Sequence, residues 1–221
     1  MATVLALETS ADACSVALLR DGSLLQRHEL LPRSHTLHIL PMVDAVMVEA
    51  GISLAALDVI AFGRGPGSFT GLRVCASVVQ GLAYAADIPC APVSSLQALA
   101  MTALDDDLCA PGLDILCCVD ARMNEVYCAQ FTRVDGFPLI AGAERLCAPD
   151  ATAWGDVEAC RIGSGWQYAD KIGFSGSVNS IELLPRASAV ARLGEQMFKQ
   201  GQTVAADEAL PVYLRDDVAW R

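Results

Sequence analysis

The glycine-rich stretch Gly63–Gly71 (GRGPGSFTG) is the segment whose residue types and spacing could most clearly do chemistry. Its glycines permit close backbone approach and positive φ angles, while Pro66 stiffens the turn. A helix expected from about Gly71 would present unpaired N–H groups that could receive an anion. The stretch is neither a P-loop nor a dinucleotide-binding loop, because it lacks the G-x-x-x-x-G-K-[ST] and G-x-G-x-x-G spacings.

Two arginines accompany this stretch, and each could hold a phosphate or a carboxylate group of a ligand. Either arginine could equally bind an acidic side chain of a partner protein. Two interpretations therefore remain open, a structural turn that contacts a partner and a site for an anionic ligand. The candidate residues are Gly63, Arg64, Gly65, Pro66, Gly67, Ser68, Phe69, Thr70, Gly71 and Arg73.

Histidine and cysteine offer little further chemistry. His35 and His38 stand three residues apart and could share a metal ion on a helix, but no acidic residue follows at the spacing that would complete the set. Cys117 and Cys118 are adjacent in an apolar run, so their side chains point to opposite faces of a strand. No histidine in the second half could serve them as a base. We expect a solvated helix start and core thiols.

Composition narrows the class of protein. The chain has 221 residues, of which 53% are hydrophobic and 19% charged, which excludes an intrinsically disordered protein. It has 15 basic and 26 acidic residues, for a net charge of −11, so binding nucleic acid unaided is not expected. No uncharged run reads as a membrane span. The nine cysteines are odd in number, and we expect buried thiols in a reducing cytoplasm.

The elements that would position these residues alternate in type. Asp21-Gly22 joins two strands as a tight hairpin, since this pair supplies the positive φ angles that such a turn needs. Ser34 is placed to begin a helix that ends before Gly51, with Pro41 expected to bend it or shift its start. The expected strands are 3–9, 14–20, 23–30, 58–62 and 89–93, and helices are expected over 34–50 and 71–86.

The second half of the chain repeats this order. Ile115–Asp120 is a buried strand that ends in an acid, as Val4–Glu8 is, and Asp135-Gly136 takes the place of the first Asp-Gly pair. A duplicated β-β-β-α-β-α unit follows, unless the two halves are alike by chance. We expect an N-terminal half over residues 1–104 and a C-terminal half over 105–221, whose final segment could pack back on the first.

Two helices are candidates for an interface with another protein. The helix expected over residues 34–50 is apolar nearly all the way round, and such a helix needs a second burial partner. The second mixes apolar and small residues that would permit close approach of another helix. The alternative is that both faces belong to the core of the chain itself. The candidate residues are Leu37, Leu40, Met42, Val43, Val46, Met47, Val74, Ser77, Val78, Gly81 and Leu82.

Four motifs together give the chain a family resemblance. Glu8–Leu18 (ETSADACSVAL), Gly63–Arg73 (GRGPGSFTGLR), Val119–Tyr127 (VDARMNEVY) and Pro211–Trp220 (PVYLRDDVAW) resemble the TsaB (YeaZ) family over essentially the whole chain. The resemblance implies an α/β fold of duplicated actin-like type (the fold of sugar kinases and Hsp70). It also implies a non-catalytic subunit of the bacterial machinery that makes threonylcarbamoyladenosine in tRNA, in the cytoplasm.

The resemblance also implies partners and cofactors. The expected partners are the catalytic paralogue TsaD, as a heterodimer, the ATPase subunit TsaE, and a second copy of the chain when it is alone. Contact with tRNA would come mainly through those partners, and no cofactor would be required. In actin-like kinases, residues at the places of Glu8, Thr9, Ser10 and Ser15 hold metal-bound ATP phosphates. Many relatives carry aspartate at the first place, so weak nucleotide binding and a self-satisfied hairpin both remain open.

The same resemblance bears on catalysis. Alignment with the TsaD strand places Ser95 and Leu99 where that family carries two iron-binding histidines. A leucine side chain cannot donate to a metal, so the resemblance implies that the catalytic centre is absent. The alternatives are an independent actin-like kinase, which needs a competent phosphate loop, and a metallopeptidase-like enzyme, which needs a bound metal.

Overall fold

The computed structural model describes residues 1–154 and 157–215, which form two compact units. The first unit contains Met1–Ala98 and Pro185–Val212, and the second contains Leu99–Leu184 and, of the described C-terminal residues, 213–215. The sequence assigned residues 105–221 to the second half and allowed its final segment to pack on the first. Residues 185–212 do belong to the first unit. Among the described residues, no helix is both long and apolar enough to cross a membrane.

The first unit contains a five-stranded sheet in the order β3-β2-β1-β4-β5. The three N-terminal strands are antiparallel neighbours, and β4 and β5 extend the sheet in parallel from β1. Both residues of the Asp21-Gly22 pair have positive φ angles, as the hairpin prediction requires. The elements are β1 Val4–Glu8, β2 Ala13–Arg20, β3 Ser23–Leu30, α1 His35–Ala50, β4 Val59–Gly65, α2 Phe69–Ala86, β5 Cys90–Ser94, α3 Ser95–Asp105 and α5 Ala187–Lys199, α3 running on into the second unit.

Helix α1 confirms the predicted helix from Ser34 to Gly51. Ser34 occupies the N-cap position, but its hydroxyl donates to the Leu31 carbonyl oxygen at 3.1 Å and makes no cap bond. Gly51 ends the helix in the left-handed conformation, at φ 64°. Pro41 lies inside the helix without shifting its start, which remains at His35. The apolar face of the sheet, with Leu5 and Leu7 on β1, packs against α1 and α2 in one core.

The opposite face of this sheet is lined by alanine. The strand register places one alanine on each of four neighbouring strands in a single row: Ala17, Ala6, Ala61 and Ala91. Helix α5 packs over this row, and a Cβ atom added at Gly194 would lie 2.3 Å from the Cβ atom of Ala61. The helix and the sheet are therefore in contact at backbone distance.

The second unit repeats the sheet and departs from it in its helices. Its strands run in the order β10-β6-β7-β8, and β9 also pairs with β7. Taken in reverse, β8-β7-β6-β10 matches β3-β2-β1-β4 of the first unit. This confirms the predicted α/β fold of two related actin-like halves. No α-helix intervenes between β8 and β10 in the described residues, so the helical part of the predicted repeat is wrong there. The elements are β6 Asp114–Asp120, β7 Val126–Val134, β8 Phe137–Ile140, β9 Arg145–Cys147, β10 Ala159–Ile162 and α4 Ala169–Ile172.

The expectation that every cysteine is a free thiol is wrong for one pair. Cys109 and Cys160 form a disulfide, with their Cα atoms 5.3 Å apart. Cys109 follows α3 and Cys160 lies in β10, 51 residues further along the chain. The remaining seven cysteines are free, and all of them are buried except Cys147, which is half-buried.

Two glycines at mid-helix positions predict opposite responses to the same substitution. Gly194→Ala should destabilise the fold by about 1–3 kcal/mol, since its new methyl group would overlap the fixed Cβ atom of Ala61. Gly81→Ala should stabilise it by about 0.5–1 kcal/mol, because nothing lies within 4 Å of the added atom and alanine favours the helix. Denaturant unfolding of both variants measures the two effects. Equal changes of the same sign in the free energy of unfolding of the two variants would contradict the close contact at Gly194.

Candidate functional site

The glycine-rich stretch packs directly against the end of β1. A Cβ atom added at Gly63 would lie 2.0 Å from the Oε2 atom of Glu8, and one added at Gly71 would lie 2.0 Å from the carbonyl oxygen of Thr9. A side chain at Gly71 would require the backbone after β1 to move, and one at Gly63 would displace the Glu8 carboxyl group from its hydrogen bonds. These glycines are thus required by the close approach of two strands and a helix, which supports the structural interpretation of the motif.

The loop itself is shorter than the sequence indicates. Strand β4 continues through Gly65 and α2 begins at Phe69, two residues before the predicted start. Ser68 caps the helix, because its Oγ atom accepts a hydrogen bond from the Gly71 N–H at 3.3 Å. The Ser68 N–H donates to the Ser10 carbonyl oxygen at 2.7 Å. The first turn of α2 is therefore tied to β1 by hydrogen bonds within the chain.

Glu8 is buried at the meeting point of β1, β4 and α3. Its carboxylate accepts hydrogen bonds from the Ser10 N–H at 2.5 Å and from the Ser95 hydroxyl at 3.1 Å. The Ser95 oxygen also accepts a bond from the Gly65 N–H at 3.3 Å. Burial raises the pKa of Glu8, and its hydrogen bonds oppose the shift without cancelling it. With 1% of its surface exposed, this carboxyl group is an internal link between elements.

The hydroxyl groups of the first hairpin are also used within the chain. The Thr9 hydroxyl donates to the Gly71 carbonyl oxygen at 2.9 Å. The Ser15 oxygen accepts a bond from the Ala187 N–H at 3.0 Å, at the start of α5, and its hydroxyl donates to the Arg27 carbonyl oxygen. A phosphate group would have to displace these bonds. The self-satisfied hairpin is the alternative that this geometry favours, and weak nucleotide binding stays a prediction.

The two arginines of the motif have different surroundings. The Arg64 carbonyl oxygen accepts a hydrogen bond from the Val212 N–H at 2.8 Å, so the stretch also contacts the returning chain. The exposed Arg73 guanidinium lies 3.8 Å from the centre of the Phe69 ring, a cation–π contact. Contact with a partner's acid and contact with a ligand anion both remain open for these side chains.

The expectation that His35 and His38 form a solvated helix start is wrong for His35. His35 is buried at the start of α1, and burial lowers its pKa. Within residues 1–154 and 157–215, no group of three His, Cys, Asp or Glu side chains is arranged to hold a metal ion. Ser95 opens α3, and Leu99 follows one turn later as a buried apolar side chain. This places both residues of the TsaD comparison on one helix, as the alignment predicted.

Four of the predicted interface residues lie in the core of the first unit. They belong to the cluster that α1 forms with the sheet, so the prediction is corrected: they cannot meet another protein. Apolar residues surround α1 because one side of the helix packs in the hydrophobic core. The four residues are Met42, Val43, Val46 and Met47.

The outer face of α1 still carries exposed apolar side chains. Leu37, Leu40 and Val48 expose 74%, 51% and 70% of their surface. Their spacing places them on one stripe of the helix, since they fall close together at 100° per residue. Because α1 packs on the sheet with its other side, this stripe points away from the sheet.

Helix α2 presents a second exposed stripe on the same side of the sheet. Ser77 and Gly81 lie on its outer face, and Tyr84 follows with 85% of its surface exposed. The other predicted residues, Val74, Val78 and Leu82, are partly buried against the core between the helix and the sheet. We call the six outward residues the association surface: Leu37, Leu40, Val48, Ser77, Gly81 and Tyr84.

Sequence reasoning missed three residues of these sites. Val48 and Tyr84 belong to the association surface, and no sequence signal separates such exposed positions from those that face the sheet. Ser95 was considered only as a missing metal ligand, although it holds the buried carboxyl group of Glu8. No sequence signal joins residues so far apart in the chain.

The C-terminal motif Pro211–Trp220 also gains a partial explanation. Arg215 donates to the Ala121 carbonyl oxygen at 3.0 Å and forms an ion pair with Glu125 at 2.5 Å. It therefore holds the turn that follows β6. Residues 216–220 of the motif lie outside the described residues.

Comparison with known proteins places this chain among tRNA-modification proteins. The family model of TsaD, described as tRNA N6-adenosine threonylcarbamoyltransferase, matches residues 28–177. A relative from Haemophilus influenzae, named tRNA threonylcarbamoyladenosine biosynthesis protein TsaB, is 38% identical over 99% of this chain and 96% of its own length. A relative of the same name from Escherichia coli is 39% identical with the same coverage.

A solved structure agrees with these sequence relatives. YeaZ from Pseudomonas aeruginosa is 40% identical and superimposes with a TM-score of 0.88 over 97% of this chain and 100% of its own. Similarity therefore extends along the whole fold, including both units.

The buried carboxyl group predicts a pH effect on stability. Because its pKa in the folded protein is raised, the folded state holds the proton more tightly than the unfolded state does. The stability this contributes is fully present below pH 4.5, the ordinary pKa, and is lost as the pH rises through the folded value. Glu8→Gln, which keeps the size without the charge, should remove this loss. Urea unfolding from pH 4 to 8 gives the free energy of unfolding of both proteins. If that free energy has the same pH dependence in the variant and the unaltered chain, the pKa of Glu8 is not raised.

Proposed function

The chain belongs to the TsaB family of tRNA threonylcarbamoyladenosine biosynthesis proteins, and we propose that it acts there as a non-catalytic scaffold subunit. In this role it binds and activates the catalytic subunit TsaD and helps to recruit TsaE. The family model matched by residues 28–177 carries the name of the transferase, whereas the relatives matched over their full length carry the name TsaB. The scaffold role rests on the surface of the first unit.

The association surface is the observation that carries this proposal. Large apolar side chains such as Leu37 and Tyr84 are more than 70% exposed on neighbouring helices, and exposed apolar patches mark protein contacts. On the same stripe of α2 as Tyr84, Gly81 leaves open space in which another helix could approach α2 at short distance. An interface of about 800 Å² per partner would be of ordinary size for a stable complex.

The charge of the chain fits a division of labour with a catalytic partner. A net charge of −11 repels the phosphate backbone of tRNA, so the partners supply most of the basic contacts. Leu99 stands where the resemblance would require an iron ligand, and an aliphatic side chain cannot coordinate a metal. The chain therefore contributes surface and shape, while the transfer reaction takes place on TsaD.

The kinase alternative is less well supported. A phosphate loop needs accessible donors, whereas the Thr9 and Ser15 hydroxyl groups are buried and bonded inside the first unit. The same polar groups hold α2 and α5 against the sheet. Their position supports a structural task for the motif.

The association surface is also available to a second copy of the chain. In the absence of TsaD, pairing of two such surfaces would cover the same apolar side chains. The homodimer and the heterodimer would then exclude each other, and TsaD would bind only as the homodimer dissociates. Recruitment of TsaE would follow formation of the heterodimer.

Reconstitution tests the scaffold role directly. The purified chain and TsaD should elute together by size exclusion, because their apolar surfaces are buried in the complex. With TsaE, tRNA and a threonylcarbamoyl donor present, threonylcarbamoyladenosine formation should depend on adding this chain, and the chain without TsaD should form none. Full activity of TsaD and TsaE without it, or transfer by this chain alone, would overturn the proposal.

A single substitution tests the surface. Gly81→Arg should weaken binding to TsaD about tenfold or more, because a long charged side chain would be buried without a partner at the point of closest approach. Titration by calorimetry measures the affinity. The folded chain should lose no stability, since nothing lies within 4 Å of an added Cβ atom.

A matched variant controls for the added charge. Leu139→Arg lies on β8 of the second unit, where the leucine is 58% exposed and outside the association surface. It should bind TsaD as the unaltered chain does. If Gly81→Arg also binds with unchanged affinity, the surface on α1 and α2 is not the contact.

A further inference from the structure

Two thiols in the second unit lie in contact with each other. The Sγ atoms of Cys128 on β7 and Cys147 on β9 are 3.6 Å apart. The antiparallel register places Cys128 opposite Arg145 and Cys147 opposite Val126, so the two cysteines are diagonal neighbours on one face of the sheet. A disulfide requires the sulfur atoms to approach to about 2.05 Å, which is a small movement for two side chains already in contact.

The two thiols differ in their access to solvent. Cys128 is fully buried, whereas Cys147 is half-buried on the short strand β9. Burial raises the pKa of Cys128 to about 12, with the neighbouring Cys147 adding to the shift and Arg145 opposing it. An oxidant from solution therefore reaches Cys147 first, and the Cys128 sulfur lies in contact with the oxidised residue.

We propose that Cys128 and Cys147 form a redox-active dithiol, a modification site that peroxides convert to a disulfide fastening β9 to β7. The site is a property of the second unit alone. It does not depend on the scaffold role, whose surface lies on α1 and α2.

The reaction balances with one peroxide molecule per disulfide. The Cys147 sulfur attacks one oxygen of hydrogen peroxide, the O–O bond breaks, and the departing hydroxide takes up the proton that the Cys147 thiol gives up, leaving as water. The sulfenic acid on Cys147 is then attacked by the Cys128 sulfur, so that the S–S bond forms and the S–O bond breaks. The second water carries away the Cys128 proton. Two thiols are oxidised and one peroxide is reduced to two waters.

The surroundings distinguish this pair from the other free cysteines. Cys118 lies directly opposite Cys128 on β6, but it is buried beneath Gly165 and Trp166, and peroxide from solution cannot reach it. Cys90 is buried in the first sheet, and burial alone raises its pKa. The contact between a reachable and a buried thiol is what makes Cys147 and Cys128 a reactive and a resolving residue.

The test begins with the whole chain as it folds, in which seven of the nine cysteines are free. Brief treatment with hydrogen peroxide should lower the number of free thiols by two and the intact mass by two hydrogen atoms. Peptide mapping without reductant should join the peptide of Cys128 to that of Cys147. Tryptophan fluorescence should fall at the same time, because a disulfide quenches rings such as Trp166 in the same cluster.

Variants separate this chemistry from general oxidation. Cys147→Ser should abolish the loss of two thiols, and Cys128→Ala should leave a sulfenic or sulfinic acid on Cys147 that mass spectrometry detects. Cys90→Ala, a matched buried thiol, should oxidise as the unaltered chain does. The proposal fails if peroxide leaves the thiol count at seven, if Cys147 accumulates sulfinic acid while Cys128 stays reduced, or if mapping joins Cys147 to a different cysteine.

Discussion

At Gly194 no side chain fits between α5 and the alanine row of the first sheet, and this close contact shapes much of the first unit. The row of alanines across four strands and the glycine at position 194 exist because the helix backbone lies against the sheet. The start of the same helix is held by the Ser15 hydroxyl group. One face of the sheet is thus closed by close packing of small residues, while the other is covered by α1 and α2 with large apolar ones.

The polar residues that attract attention in the sequence serve the interior of this unit. Glu8 ends the first strand, Thr9 and Ser10 follow it, and each of the three meets a glycine of the glycine-rich stretch. The buried carboxyl group joins three elements through one serine hydroxyl. The polar residues that resemble a phosphate site therefore hold the elements of the first unit together.

The sequence predicts hairpins and helix ends well, because each depends on the backbone preferences of one or two adjacent residues. Asp21-Gly22 and Gly51 adopt the positive φ angles expected of them, and the sheet order of the two halves repeats as the motifs indicated. The sides of α1 could not be assigned, since an apolar residue such as Val46 reads the same whether it meets the sheet or solvent. The pairing of Cys109 with Cys160 and the return of α5 depend on contacts between distant residues, which periodicity does not record.

The return of α5 has a consequence for how the protein emerges from the ribosome. The first unit lacks its covering helix until residue 199 has been synthesised, so its alanine face is bare while the whole second unit is being made. At about 5–20 residues per second, that interval lasts roughly 5–20 s. The nascent N-terminal sheet is a natural client for chaperones during this time, whereas the second unit, apart from its short C-terminal piece, is complete before the first can close.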